Sequence, residues 1–394
     1  MITVTVNTVT VFPSTGRPPH GGRSDDKPSD GGAALVGSAP IAEALRGSWP
    51  DVELLCEPSP LTGGYWAAMW RVRLTGTPAG IPGELVVRVM PDATMGAKEM
   101  AVQAAVARAG ITTPRVHLTG PPGGPLGNAW AVMDLAPGAP SIAGLDGAAA
   151  LRRLPRLATA LPHQLAEAMA GIHRVDPAPV AAAVREAAPS AAFTVDELWT
   201  RLRASVAGTG RADLDDALDR LVAGEPRRAR AVICHGDFHP FNLLTSATRT
   251  TVLDWTGAVA APPAYDVAFT WLLLRYPPLA APPALRPVIG AAAAALARRF
   301  VHLYRRANPA ADLTGLRWYV GLHALRILSD HQTWARNGDR RAREHPLSLV
   351  APGATRALRR AVSTPSTGRT RPPDPLDSSR PSTGRDGPDQ DGYP

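Results

Sequence analysis

The stretch His235-Gly236-Asp237-Phe238-His239-Pro240-Phe241-Asn242, followed closely by Thr251-Val252-Leu253-Asp254-Trp255, decides how this chain is read. Leu243-Leu244 and Val252-Leu253 are apolar pairs, and the polar run Thr245-Ser246-Ala247-Thr248-Arg249-Thr250 lies between them. Apolar pairs flanking a short polar run are the pattern of a hairpin. A hairpin centred near Thr248 sets Asn242 opposite Asp254, with Asp237 on the adjoining loop. An amide oxygen and a carboxylate facing one small volume are hard donors of the sort Mg²⁺ takes beside phosphate oxygens, and a second carboxylate is left free to receive a proton. The same residue types also serve turns for local reasons, because Asn and Asp side chains hydrogen-bond nearby backbone.

The chain has 394 residues, 45% of them hydrophobic, which is enough for a two-lobed core and too many for a mostly disordered protein. Cys56 and Cys234 are the only cysteines, so no disulfide framework is expected and a reducing cytoplasm is the simplest home. The first residues, Met1-Ile2-Thr3-Val4-Thr5-Val6-Asn7, lack a basic start and a long apolar run, and no stretch of about 18 apolar residues occurs later. A cytoplasmic protein without a membrane partner is expected. The net charge of +8 would suit a nucleic-acid binder. The arginines are nevertheless scattered, without aromatic interleaving or a groove-reading helix, so nucleic acid is not expected as the partner.

Along the chain, Pro13-Ser14-Thr15-Gly16-Arg17 recurs as Pro365-Ser366-Thr367-Gly368-Arg369 and as Pro381-Ser382-Thr383-Gly384-Arg385, in stretches with little apolar surface to offset the entropy of ordering. Both ends, 1–30 and 363–394, are expected to be disordered tails. Strands are expected over Val52-Glu53-Leu54-Leu55, Met69-Trp70-Arg71-Val72-Arg73-Leu74, Glu84-Leu85-Val86-Val87-Arg88-Val89 and Trp130-Ala131-Val132-Met133, all bounded by Gly or Pro punctuation. The spacing from Lys98 to Ala109 is helical and stops at Gly110. Helices are expected again over Leu165–His173, Tyr265–Phe269 and from Ala291 onward.

An Asp followed by four residues and an Asn, and then by a hydrophobic strand ending in Asp, is the spacing of the catalytic loop and metal-binding Asp of kinases. Gly236 stands where protein kinases carry Arg after the His, and Asp254-Trp255 replaces Asp-Phe-Gly. With these residues the chain resembles the aminoglycoside phosphotransferase family, whose members phosphorylate hydroxyls of small molecules within a kinase-like fold. The resemblance implies an α+β, two-lobed protein-kinase-like fold. A strand-rich N-lobe over 31–136 would bind nucleotide, and a larger helical C-lobe over 137–362 would carry the catalytic loop and the substrate-binding helices. It also implies transfer of the γ-phosphoryl group of ATP or GTP, with Mg²⁺, to a hydroxyl of a small molecule, an aminoglycoside or a metabolite. Oligomeric state is left open.

Within that resemblance Asp237 is the expected catalytic residue, accepting or orienting the acceptor hydroxyl's proton, and Asn242 and Asp254 are the expected Mg²⁺ ligands. His235 is expected to brace the loop, Asp266 to act as a cap or brace, and His239 receives no role. Phe241 stands where relatives often carry Gly, and Thr256 where an acid is common. Gly63 and Gly64, in Leu61-Thr62-Gly63-Gly64-Tyr65, are either a plain hairpin turn or a phosphate-approaching loop, and the resemblance favours the loop. Kinases hold phosphates with a strand Lys paired to a helix Glu; the matching residues here are Arg88 and Glu99, the bland alternative for Arg88 being a surface position on an edge strand. Met133 and Leu135, at the connection between lobes, complete the expected nucleotide contacts. Glu197, Asp213, Asp215, Asp216 and Asp219 either meet a cationic acceptor or form a solvated helix face. The competing reading is a nucleotide-binding pseudokinase or regulatory module without turnover, with Arg88 in place of Lys as its main support.

Overall fold

The structure, a computed structural model, describes residues 37–61, 67–141, 147–246, 249–279, 283–339 and 341–363. The expected tails lie outside the described residues, apart from Ser363. Gly63 and Gly64 lie outside them as well, in the segment 62–66.

Helix α1 (Ser38–Arg46) precedes a six-stranded antiparallel sheet made of β1 (Glu53–Leu54), β2 (Ser59–Leu61), β3 (Ala68–Thr75), β4 (Glu84–Met90), β5 (Val116–Gly120) and β6 (Ala129–Asp134). Strand order is β1-β3-β4-β6-β5, with β2 also paired to β3. Alternation assigns the two faces of the sheet. Leu85, Val87 and Val89 of β4 join Ile41, Leu45 and Trp130 in one apolar cluster under α1, whereas Val86 and Met90 share the opposite face with Met100 and Met133. Arg88 belongs to that second face, on a strand flanked by β3 and β6 on both sides, so the edge-strand alternative does not hold.

Helix α2 (Ala93–Arg108) crosses the second face and begins before the expected Lys98. The Asp92 side chain accepts from Met95 N at 3.0 Å and starts the helix there. Gly96, which weakens the local helix signal, is needed because a Cβ at this position would meet the Met90 sulfur at 2.8 Å. The helix stops at Gly110, whose φ of 91° suits only a residue without a side chain.

The larger lobe follows β7 (Ala139–Pro140). It is built from α3 (Gly147–His173), α4 (Pro177–Ala187), α5 (Val195–Thr209), α6 (Ala212–Ala223), α7 (Ala264–Arg275), α8 (Arg286–Ala307), α9 (Leu316–Arg336), α10 (Arg341–Glu344) and α11 (Pro346–Val362). Its core runs through Leu165, Met169, Phe238, Trp255, Phe269 and Tyr304, so the segment from His235 to Trp255 is packed from behind by the lobe's own interior. Two small strand pairs carry that segment: β8 (Val232–Cys234) with β11 (Val259–Ala261), and β10 (Thr250–Val252) with β9 (Leu243–Thr245), whose other side pairs with β7. Among the described residues no helix is long and apolar enough to cross a membrane.

Candidate active site

The expected hairpin exists, but its register is one residue away from the expected one. Val252 pairs with Leu243, and Leu253 N donates to Asn242 O at 2.9 Å, so Asn242 faces Leu253 rather than Asp254. Adjacent strand residues point to opposite faces, and Asp254 is brought round by its backbone instead. It is the one non-glycine residue with positive φ, 61°, among the described residues. Asp tolerates this left-handed conformation better than most residues, and such outliers concentrate at functional positions. Thr256 locks the turn, donating its hydroxyl to Asp254 Oδ1 at 2.6 Å and standing 3.0 Å from Glu99 Oε2.

The loop from His235 to Asp237 is held from below by Asp266, the first-turn acid of α7. His235 N and Gly236 N donate to its two oxygens at 2.6 and 2.7 Å, and His173 Nε2 lies 3.3 Å from Oδ2. Burial would raise this carboxyl, but the His173 contact and the amide donors outweigh it and hold it below the ordinary range. Gly236 is obligatory: its φ is 76°, and a Cβ there would stand 1.9 Å from Gly257 O. This explains why Gly follows the His. His235 braces the same loop, with Nε2 donating to Leu253 O at 2.9 Å and its ring 4.9 Å from that of Trp255.

Asp237 emerges half-exposed from this support. His239, which the sequence left without a role, places Nε2 3.4 Å from Asp237 Oδ2. Burial alone would raise the Asp237 carboxyl; the charges of His239, Arg326 and His235 overcome it and hold the group well below the usual carboxylate range. His239 responds in the opposite sense, lowered by burial but raised on balance by Asp237. Asn242 donates Nδ2 to Asp237 O at 2.9 Å, which fixes the amide and leaves its Oδ1 as the outward donor atom.

Across the cleft, Arg88 Nη1 stands 2.9 Å from Glu99 Oε1 and Arg88 Nη2 3.7 Å from Asp254 Oδ1. The guanidinium thus ties α2 of the small lobe to the metal-type carboxylate of the large one. Burial pushes the Glu99 carboxyl up to about 7, with Arg88 opposing the rise. A cavity of about 270 Å³ lies between the lobes, lined by Arg88, Met133, Leu135, Asp237, Asn242 and Asp254. All six were picked out from the sequence, while Glu99 stands behind Arg88. His239 and His345 of the C-terminal region also line the cavity and were not picked out. A His three residues before the Asn was visible as a signal for His239; His345 has none, because it arrives from the far end of the chain.

Asn242 Oδ1 and the carboxylate of Asp254 are hard oxygen donors on one wall of this cavity, a set that fits Mg²⁺ completed by phosphate oxygens. Two of the acidic residues named earlier as candidates for a cationic acceptor are otherwise engaged. Glu197 closes a capping box with Thr194, and Asp213 pairs with Arg211 at 2.7 Å.

Similarity to known proteins agrees with this geometry. A candidate aminoglycoside phosphotransferase of Ralstonia eutropha JMP134 is 18% identical, with a TM-score of 0.58 over 83% of this chain and 99% of that one. The GDP complex of wild-type aminoglycoside 2′-phosphotransferase-IIIa is 16% identical, with a TM-score of 0.52 over 80% and 98%. A thermostable form of aminoglycoside phosphotransferase APH(4)-Ia, in a ternary complex with ADP and hygromycin B, is 17% identical, with a TM-score of 0.50 over 81% and 98%. These structures share the kinase-like two-lobed fold. Among curated protein sequences none matches this chain. The profile of the phosphotransferase enzyme family matches residues 57–304, more than half of the chain, and this chain belongs to that family.

Proposed function

We propose that this protein is a small-molecule kinase, transferring the γ-phosphoryl group of ATP or GTP to an acceptor hydroxyl. The observation that carries this reading is the convergence on one interlobe cavity of Arg88, from the small-lobe sheet, with Asp237, Asn242 and Asp254, from one hairpin of the large lobe and its entry. Nucleotides occur in the neighbouring folds, GDP in one and ADP in another. Met133 and Leu135 line the apolar part of the cleft, where a base would lie, and Arg88, oriented by Glu99, reaches toward the phosphates.

Asn242 and Asp254 would hold Mg²⁺, which would neutralise phosphate charge. The acceptor oxygen attacks the γ-phosphorus, the bond from that phosphorus to the β–γ bridging oxygen breaks, and the nucleoside diphosphate leaves with that oxygen. Asp237 accepts a hydrogen bond from the hydroxyl and takes its proton. A carboxylate held low by His239 and Arg326 is a weak base, so the proton moves late, once bonding to phosphorus has acidified the hydroxyl. Most of the rate enhancement then comes from positioning and electrostatics. The Arg88–Glu99 pair also answers the pseudokinase reading: a fork able to meet carboxylate and phosphate together can stand in for the usual Lys.

The test is a thermal-shift titration with ATP or GTP, with and without Mg²⁺. Wild-type protein should show a Mg²⁺-dependent shift, and Asp254→Asn should lose that dependence, because it removes the carboxylate from the metal's ligand set. A full Mg²⁺-dependent shift in Asp254→Asn would refute the assignment.

A further inference from the structure

A second cavity, of about 180 Å³, opens between α5 and α9 beside the catalytic loop. Trp199 and Leu202 give it an apolar wall, and Tyr265, His323, Arg326 and Asp330 its polar one. Arg326 links the cavity to the chemistry. Its guanidinium lies 4.9 Å from the Phe269 ring, donates to Gly236 O at 3.4 Å and to Tyr265 Oη at 3.3 Å, and its charge helps hold Asp237 ionised.

Three features of this wall are chemically incomplete. None of the described carboxylates lies within ion-pair distance of Arg326, and its two hydrogen bonds are long, so its charge is poorly compensated where it is partly desolvated. Trp199 Nε1 is a buried donor without a partner. His323 Nδ1 is likewise unpartnered; its Nε2 stands 2.9 Å from Tyr265 O, a carbonyl that can only accept. Burial and Arg326 push His323 down to about 3, so the ring is neutral and Nδ1 presents a lone pair. Asp330 also lines the cavity; burial raises its carboxyl above the ordinary range while the Arg326 charge opposes the rise, and no ion pair joins the two.

Resting on the kinase reading above, we infer that this cavity is the acceptor subsite and that it selects an amphiphilic alcohol carrying a carboxylate, anchored by Arg326, against polycations. The apolar body lies along Trp199 and Leu202, the carboxylate completes Arg326, and the hydroxyl extends toward Asp237, next along the loop from Gly236. An ammonium group in the same place meets the Arg326 guanidinium, which has no carboxylate in ion-pair contact, a repulsive element that discriminates by charge.

The test uses phenyllactate and phenylalaninol, which share a phenyl ring and a hydroxyl but bear opposite charges, with hygromycin B as the polycation. Each is titrated calorimetrically into full-length protein saturated with Mg²⁺ and a non-hydrolysable ATP or GTP analogue. Phenyllactate should bind at least about tenfold tighter than phenylalaninol, and Arg326→Gln should erase that ratio while nucleotide binding persists. Trp199→Phe, which keeps an aromatic wall but removes the N–H donor together with part of the ring surface, should weaken phenyllactate by a few-fold. Should Arg326→Gln fail to fold, the charge preference of the wild type and the Trp199→Phe effect decide alone. Equal or tighter binding of phenylalaninol or hygromycin B, a charge preference that survives Arg326→Gln, or binding of neither small probe at millimolar concentration overturns the inference while leaving the kinase reading intact. Loss of nucleotide binding in the wild type overturns the kinase reading, and this one with it.

Discussion

Asp266 and Asp237 serve the same loop and differ in what their oxygens touch. Asp266 is fully enclosed, and both of its oxygens are taken by the amides of His235 and Gly236 and by His173. Asp237 opens onto the interlobe cavity, with the titratable ring of His239 at 3.4 Å. A carboxylate whose acceptor capacity is exhausted by backbone can only hold shape, whereas one with lone pairs to spare can meet a substrate. The fully supported acid makes the loop rigid enough for the under-supported one to be placed accurately.

Breaking the brace should give the largest effect. Asp266→Ala orphans two buried amides and a buried His contact and should cost about 3–5 kcal/mol of stability, read as a fall in the urea midpoint at unchanged m-value. Asp237→Asn should do the reverse, lowering turnover by roughly 10²-fold or more while the urea midpoint and nucleotide affinity stay within error. Because the Asp237 pKa is depressed, the carboxylate is ionised above its ordinary range. Wild-type turnover should therefore show no loss from this group until pH falls below about 4. An acid limb near neutrality that disappears in Asp237→Asn would show that another environment governs the residue.

The clamp across the cleft sharpens the contrast further. Arg88→Ala should weaken nucleotide binding and turnover together by roughly tenfold, and Arg88→Lys should keep part of both, because charge survives and only the fork is lost. Folding should suffer less than in Asp266→Ala. Burial already pushes Glu99 up to about 7, and without Arg88 it can take a proton and remain buried as a neutral acid.

Lys98 supplies the smallest effect. It is 2% exposed, and among the described residues Thr256 O at 3.3 Å is its hydrogen-bond acceptor. Burial, with Arg201 adding to it, lowers its pKa from 10.5 to about 8. Between those values the unfolded chain binds more protons than the folded one, so stability rises with pH. Wild type should gain on the order of 1 kcal/mol relative to Lys98→Met between about pH 7 and 8.5, measured by urea midpoints at each pH. A flat difference would mean that the buried amine is already neutral.

Much of the site was legible because its information is local. Asp237, Asn242 and Asp254 sit within one hairpin and its entry, where spacing alone constrains geometry, and Gly236 is required by one close backbone approach. The register escaped by one residue because Asp254 leaves the strand in a left-handed conformation that alternation does not encode. The start of α2 was missed because Gly96 dilutes the helical pattern while the cap lies outside the apolar run. β5 was missed because its apolar and polar alternation runs only from Val116 to Thr119 before Gly120.

By itself, then, the sequence determined the hairpin from Asn242 to Asp254 and the order of sheet and helices, which depend on periodicity or on short-range spacing. The resemblance to kinases added the Arg88–Glu99 pairing. The surroundings of Asp237 were decided only by tertiary packing. Arg326 reaches the loop across 90 residues and Lys98 reaches Thr256 across 158, while His345 lines the cleft from the N-cap of the last helix. Such contacts follow from how helices of the large lobe stack around a common core, and no local propensity records which arginine or histidine that stacking will leave beside a carboxylate.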